Sequence, residues 1–367
     1  MSHDTDRIAG TLLGLAVGDA IGLPREGLSR RRATRVFGGA PLRHRFVLGR
    51  GMFSDDTEHA CMTAQALLAS RGDTERFARS LAWRLRAWLL CLPAGTGMAT
   101  ARAIAKLWLG FSARSSGVYS AGNGPAMRAP VLAIVAGDSV ERLTALNRIS
   151  TRITHTDPRA EEGALAVALA TAYGLRCGAD GVRAPDGFLG LVAPQLRGEE
   201  LLARLQSARD MLRRGASVAE YADALGQQNG VSGYIAHTVP VALYAWLRHP
   251  DDFRAAVEAA ILLGGDTDTT GAVTGALAGA SLGAAAIPPE WLSACCDWPR
   301  SARWIRALAE RLGGAPAPET SHERDVRGTA GVPPAPLPLC WPALPLRNLV
   351  FLALVLGHGF RRLLPPY

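Results

Sequence analysis

Gly264-Gly265-Asp266-Thr267-Asp268-Thr269-Thr270-Gly271, continued by the uncharged run Ala272 to Ala286, is the stretch from which the rest of the chain reads. Two aspartates alternate with threonines on a glycine-flanked turn, and the sequence then becomes helical in pattern. An extended backbone at this turn would point Asp266 and Asp268 to one side. Thr269 or Thr270 would then cap the following helix, expected over Thr270–Ala285, and still offer a hydroxyl oxygen. Hard oxygen donors of this kind suit Mg²⁺, Mn²⁺ or Ca²⁺. Gly271, Gly275, Gly279 and Gly283 recur at every fourth position and leave one helix face without side chains. Each glycine costs a helix roughly 1 kcal/mol relative to alanine, so a neighbouring backbone is expected to approach closely. The acids are thus expected on a deeply buried helix.

A solvated turn is the ordinary reading of an Asp-x-Asp pair and stays open, whereas three other readings of the stretch fall away. A calcium-binding EF-hand loop needs a glutamate at its twelfth position, where Leu277 stands. A membrane dimerisation helix would be richer in Leu and Ile and would lack Thr274 and Ser281. The haloacid-dehalogenase signature DxDx[TV] fits the letters, but should follow a hydrophobic strand near a domain start, not a Gly-Gly pair late in the chain.

Length and composition set the frame. The 367 residues are 48% hydrophobic and 20% charged, as in globular proteins with one large core or two smaller ones. The net charge of +8 is almost wholly arginine, Lys106 being the only lysine. A basic surface suits an anionic small molecule or an acidic partner. Nucleic acid is not expected, because the bases are scattered with few aromatics between them. The 6 cysteines form no CxxC pair or zinc spacing and fit a reduced, cytoplasmic setting. The acidic start Met1 to Asp6 does not resemble a secretory signal.

Helical periodicity dominates and no run of alternating strands stands out. Helices are predicted over Asp6–Leu23, Thr57–Ser70, Thr74–Cys91, Met98–Leu109, Ala126–Ala136, Val140–Thr151 and Pro158–Cys177. Further ones are predicted over Gly198–Arg214, Val218–Leu225, Tyr234–Arg248, Asp251–Leu263, Pro289–Ala294 and Ser301–Leu312. The fold class expected is all-α, a compact many-helix domain over residues 1–312. Residues 313–345 are rich in proline and read as a linker. The tail, 346–367, carries the apolar run Leu349 to Gly357 and the basic pair Arg361-Arg362. That run is shorter than the roughly 18–20 residues that span a bilayer, so a helix docked on the domain is favoured over a membrane-surface anchor, and no membrane span is expected.

A second acidic cluster, Phe53-Ser54-Asp55-Asp56-Thr57-Glu58, opens a predicted helix. By itself it reads as an N-cap with first-turn acids complementing the helix dipole. Together the two clusters offer four carboxylates and several hydroxyls, enough for two divalent cations. Without cations such acids would repel one another. The arginines Arg30-Arg31-Arg32 and Arg35 read as a solvated face, and Arg128 as the anchor of a buried carboxylate such as Asp19.

Several motifs then occur in one order: Gly18-Asp19-Ala20-Ile21-Gly22 with Glu26, Ser54-Asp55-Asp56-Thr57, Gly122-Asn123-Gly124-Pro125-Ala126-Met127-Arg128, Ile153-Thr154-His155, Gly230-Val231-Ser232-Gly233-Tyr234 and Gly264-Gly265-Asp266-Thr267-Asp268-Thr269. This order resembles that of the ADP-ribosylglycohydrolases, of the dinitrogenase-reductase-activating and (ADP-ribosyl)hydrolase type, over roughly Asp6 to Leu312. The resemblance implies an all-α fold and two Mg²⁺ or Mn²⁺ ions at the bottom of an ADP-ribose cleft. It implies Ser54, Asp55, Asp56, Asp266, Asp268 and Thr269 as metal ligands, and Glu26 and Asp56 as catalytic. Asn123 and Gly124 would form a phosphate-facing loop, and His155, Ser232 and Tyr234 would lie near the nucleotide. The implied activity is removal of ADP-ribose from modified protein side chains. The alternative is an ADP-ribose binder or immunity protein that blocks a cognate ADP-ribosyltransferase toxin. Ser54 stands where the family commonly has threonine. In arginine-specific relatives an acid tends to occur near the segment matching Gly95 to Thr100, which here has none.

Overall fold

The computed structural model describes residues 5–315 and 334–365. In chain order the helices are α1 (Thr5–Gly22), α2 (Arg30–Phe37), α3 (Asp55–Ser70), α4 (Thr74–Leu90), α5 (Met98–Trp108), α6 (Ala129–Ala136), α7 (Val140–Arg152), α8 (Pro158–Val182) and α9 (Pro185–Val192). They continue as α10 (Glu199–Arg213), α11 (Val218–Ala224), α12 (Ile235–Arg248), α13 (Phe253–Ile261), α14 (Thr267–Leu282), α15 (Pro289–Ser293), α16 (Ala302–Gly313) and α17 (Ala343–Arg362). The chain is all-α, apart from a two-residue antiparallel pair, β1 (Leu28–Ser29) on β2 (Gly264–Gly265), that sequence periodicity does not reveal.

The centre of the molecule is the pairing of α1 with α14, and its physical basis is glycine on both helices. A Cβ at Gly14 would lie 2.2 Å from the Gly275 carbonyl oxygen, and one at Gly275 would lie 2.1 Å from the Gly14 carbonyl oxygen. Gly10 faces Gly279 and Gly18 faces Gly271 in the same antiparallel register. No side chain fits such gaps, so the backbones themselves are in van der Waals contact. Both helices are buried almost throughout, with α8, α12 and α13 around α14, and α3 and α16 against α1.

Two local devices start the acid-bearing helices earlier than expected. Gly264 and Gly265 take φ of +75° and +82°, a left-handed turn open to glycine. The helix then begins at Thr267, whose hydroxyl donates to the Gly22 carbonyl at 2.9 Å. Asp268 and Thr269 are therefore first-turn residues and Asp266 is the N-cap, in place of the extended Asp-Thr-Asp segment expected. Likewise Ser54 caps α3, its hydroxyl accepting from the Asp56 N–H at 3.2 Å, so Asp55 and Asp56 are in the helix.

Helices α2 and α9 are additions to the sequence reading. The Arg30–Arg35 run is helical, with Arg31 and Arg35 exposed and Arg30 and Arg32 half-buried. Of the expected linker, 316–333 lie outside the described residues. The described part is tied down: Leu337 exchanges two hydrogen bonds with the Gln65 amide, both 2.8 Å, and Trp304 donates to Pro338 O.

The tail forms a longer helix than its apolar run suggests. At 20 residues α17 is long and apolar enough to cross a bilayer, as is α1, which however lies in the core. Arg347 anchors α17. Its guanidinium donates to both Asp297 carboxylate oxygens and to the Phe53 carbonyl, while Asn348 donates to Cys91 O at 2.7 Å. The tail is thus bonded to the residue just before Ser54.

Candidate active site

Asp266, Asp268, Thr269, Asp55 and Glu26 line a pocket of about 320 Å³ together with Thr100, Asn123, Gly124, Met127 and His155. The decisive contact joins the two acidic clusters: the Thr269 hydroxyl donates to Asp56 Oδ2 at 3.1 Å across a sequence separation of 213. The Ser54 hydroxyl lies 3.4 Å from the same oxygen. Asn123 Nδ2 donates to Asp266 Oδ2 at 2.7 Å and to the Thr238 hydroxyl at 2.9 Å, which fixes the N-cap acid.

Behind this layer sits Asp19, fully buried on α1. It accepts from the Ser54 N–H, the Thr57 N–H and the Thr57 hydroxyl, and so orients the α3 start. Burial raises its carboxyl to about 6 despite those bonds. Arg128 does not pair with it. That guanidinium, wholly buried, donates to Ser150 O and Oγ and to the Thr154 hydroxyl, and meets His59 Nδ1 at 3.2 Å. The loop folds that way because α7 delivers Ser150 beside it. Asp19 is a site residue whose signal was present in the Gly18-Asp19 motif but whose partners lie on another helix.

Electrostatically the cluster is under load. Burial first, then neighbouring acids, hold Asp55, Asp56 and Asp268 well above the usual carboxylate range. Asp56 Oδ1 and Asp268 Oδ1 are buried without a hydrogen-bond partner. A buried, unpaired carboxylate oxygen is costly, and two beside one another are what a cation would relieve. Among the described residues no three acidic, histidine or cysteine side chains stand as a ready-made chelate. The donor chemistry, hard carboxylate and hydroxyl oxygen around orphaned lone pairs, nevertheless fits Mg²⁺ or Mn²⁺.

Glu26 follows a 3₁₀ turn, Leu23–Arg25, and opens into the pocket with its side chain reached by solvent. The protein crowding around it, with the charges of Asp266 and Asp19, pushes it up to about 7, while Arg362 of α17 draws it down. Arg362 donates to Pro24 O at 3.1 Å, so the tail also touches the turn that carries Glu26.

The remaining expected residues divide. His155 is buried against the pocket, its Nδ1 2.9 Å from the Thr154 hydroxyl, and burial and the nearby Arg128 hold it neutral, down to about 3. A Cβ at Gly124 would come within 3.1 Å of this ring, a tight contact. Asn123 spends its N–H on Gly233 O, and α6 begins only at Ala129, so the Asn123-Gly124 loop is a turn and not a helix start. Ser232 and Tyr234 are not brought to the pocket; Gly233 between them is. Ser232 Oγ pairs with His237 Nδ1 at 2.8 Å, and Tyr234 donates to Glu200 and accepts from Arg159. Met98, Ala99 and Thr100 at the start of α5, with Gly95 and Gly97, also line the pocket, and belong to the acid-free segment singled out in the sequence.

Comparison with known proteins agrees with this arrangement. The ADP-ribosylglycohydrolase family profile matches residues 1–321. An ADP-ribosyl-[dinitrogen reductase] glycohydrolase of Rhodospirillum rubrum is 28% identical over 298 residues, covering 78% of this chain and 90% of its own. An ADP-ribosylarginine hydrolase, Tri1, of Pseudomonas putida is 29% identical, covering 84% of this chain and 78% of its own. A solved ADP-ribosylglycohydrolase-related protein complex superposes with a TM-score of 0.64 at 30% identity, covering 85% of this chain and 99% of that one. With a family profile spanning the whole of α1–α16 and the same fold in a solved relative, the chain belongs to the ADP-ribosylglycohydrolase family.

Proposed function

We propose that this chain is a divalent-metal-dependent hydrolase that removes ADP-ribose from modified protein side chains, cutting an N- or O-glycosidic bond at the distal ribose. The reading rests above all on the Thr269–Asp56 hydrogen bond, which makes one oxygen-rich floor of two distant helix starts. Ser54, Asp55, Asp56, Asp266, Asp268 and Thr269 would hold two Mg²⁺ or Mn²⁺ ions. When bound, these would supply Lewis acidity toward water and sugar hydroxyls and neutralise the acids.

The chain's own groups take the remaining roles. Asp56 is assigned to orient the attacking water and accept its proton. The water oxygen bonds to the anomeric carbon as the glycosidic bond breaks, through an oxocarbenium-like state. Glu26, near 7, suits proton transfer at neutral pH and is assigned to orient a ribose hydroxyl and to protonate the departing side chain. Free ADP-ribose and the unmodified side chain result. Neutral His155 and the Gly122–Gly124 loop form the wall for the nucleotide portion. The acid-free segment Gly95 to Thr100 lies at the rim where the modified side chain would enter, so a guanidinium finds no partner there. The retained acid set favours turnover over binding alone.

The test is ADP-ribose release from ADP-ribosyl-serine and ADP-ribosyl-arginine peptides, with Mg²⁺ and with EDTA. Metal-dependent release, abolished by Asp268→Ala, is expected. ADP-ribose binding without release from either peptide would sink the catalytic reading.

A further inference from the structure

Helix α17 buries Ala343, Leu344 and Phe351 together with polar side chains, and leaves a broad apolar face outside. Its inward side chains include Arg347, Asn348, His358 and Arg362, all hydrogen-bonded to the domain. Leu346, Leu349, Val350, Leu356, Phe360 and Leu363 face out, 51–69% exposed. A helix that only completed a core would not leave such an apolar face in solvent.

Neighbouring segments extend this face. Asn348 bonds to Cys91 O, and the flanking Leu90 and Leu92 are 64% and 62% exposed. Phe46 packs on Phe351 and His358 with ring centres 5.1 Å apart in each case. The same loop then turns at Leu48, which is 99% exposed with φ of 46°. Arg32 of α2 bonds to the Arg362 carbonyl. Exposed arginines on α2, on the Leu48 loop and at the end of α17 are Arg31, Arg35, Arg45, Arg50 and Arg361. Segments 30–37, 43–50, 90–98 and 343–364 contain no acidic residue.

We propose that this face, α17 with the Leu48 and Leu90–Leu92 turns, seats the protein on an anionic lipid bilayer. An apolar stripe bordered by arginine suits acyl chains and anionic headgroups together. A second copy fits less well, since an isologous contact would set each arginine group against its own image. The helix lies on the surface and does not cross it, because spanning would strip Arg347, Asn348 and His358 of partners inside hydrocarbon. Bound in this way, the Leu23–Arg25 turn and the Glu26 side of the pocket sit next to the membrane, since Arg362 bonds to Pro24.

The experiment is flotation of the full chain with phosphatidylcholine vesicles, with and without phosphatidylglycerol, at low and high salt. The wild type should float with the mixed vesicles at low salt only. The pair Leu356→Glu with Phe360→Glu should cut the bound fraction about tenfold, with thermal transition and chromatographic mass unchanged. Leu349→Ser with Phe360→Ser serves if the first pair misfolds. Absence of wild-type flotation overturns the proposal, as does equal flotation of the variants. A concentration-dependent dimer abolished by the same substitutions, without flotation, overturns it in favour of a second copy.

Discussion

The glycine-paired helices α1 and α14 and the terminal helix α17 use similar lengths of chain in opposite ways. The first pair has nothing on its contact face, so backbone meets backbone and only position is specified. Helix α17 meets the domain through long charged side chains, Arg347 on Asp297 and Glu58 above all. The first contact tolerates no added atom; the second tolerates no lost charge. The acids of the pocket lie between them, carried by α14 and by the α3 start, and braced from behind by both.

That contrast is sharpest at its glycine end. Gly275→Val or Gly14→Leu should prevent folding, because even a Cβ lies about 2 Å from the facing carbonyl and overpacking here has nowhere to relax. The outcome to watch is loss of the cooperative thermal transition; a folded Gly275→Val protein would break the account of α1–α14.

Arg347→Met should be severe but local. Leaving Asp297 buried and unpaired costs about 3–5 kcal/mol, and the cheapest response is release of α17. Limited proteolysis should then cut within 334–365 and leave a body with its own cooperative transition. A variant that unfolds as one unit instead would make the tail part of the core.

Electrostatics gives the next effect. Asp19, near 6, and Glu26, near 7, lie above their unfolded values of about 4, and Asp55, Asp56 and Asp268 are raised as well. The native state therefore binds more protons than the unfolded one, and stability present at low pH is lost as pH rises through about 4 to 7. Neutral His155 acts in the opposite sense below about 6.5, equally with and without metal. The melting-temperature gap between Mg²⁺ and EDTA should thus widen from pH 5 to 7.5. Asp268→Asn should raise the melting temperature in EDTA, by about 1–3 kcal/mol of relieved burial, and shrink the Mg²⁺ response. A gap independent of pH would remove the cation from this account.

The smallest effect belongs to the outer face of α17. Leu349→Ser should change stability in solution by less than about 0.5 kcal/mol, checked by urea unfolding. A larger loss would mean that this face already has a partner within the chain.

Much of this was written locally. Period-four glycines, acids beside hydroxyls, and the run of long helical patterns each lie within a few residues, so the all-α class and the two acid-and-hydroxyl clusters, as candidates, are legible in the sequence. Helix starts were misjudged by two or three residues, because the caps that set them depend on Asp19 and Gly22, contributed by α1. Ser232 and Tyr234 stand outside the pocket lining; motif membership does not say which way a side chain points.

The sequence by itself determined that a side-chain-free helix would carry a hard-oxygen turn, since spacing and residue chemistry are properties of the string. Only the tertiary structure decided that Gly10, Gly14 and Gly18 fill that stripe, that Thr269 reaches Asp56, and that α17 turns Arg347 and Arg362 inward. Those choices pair residues far apart in the chain, and a contact between distant segments leaves no periodicity in either one.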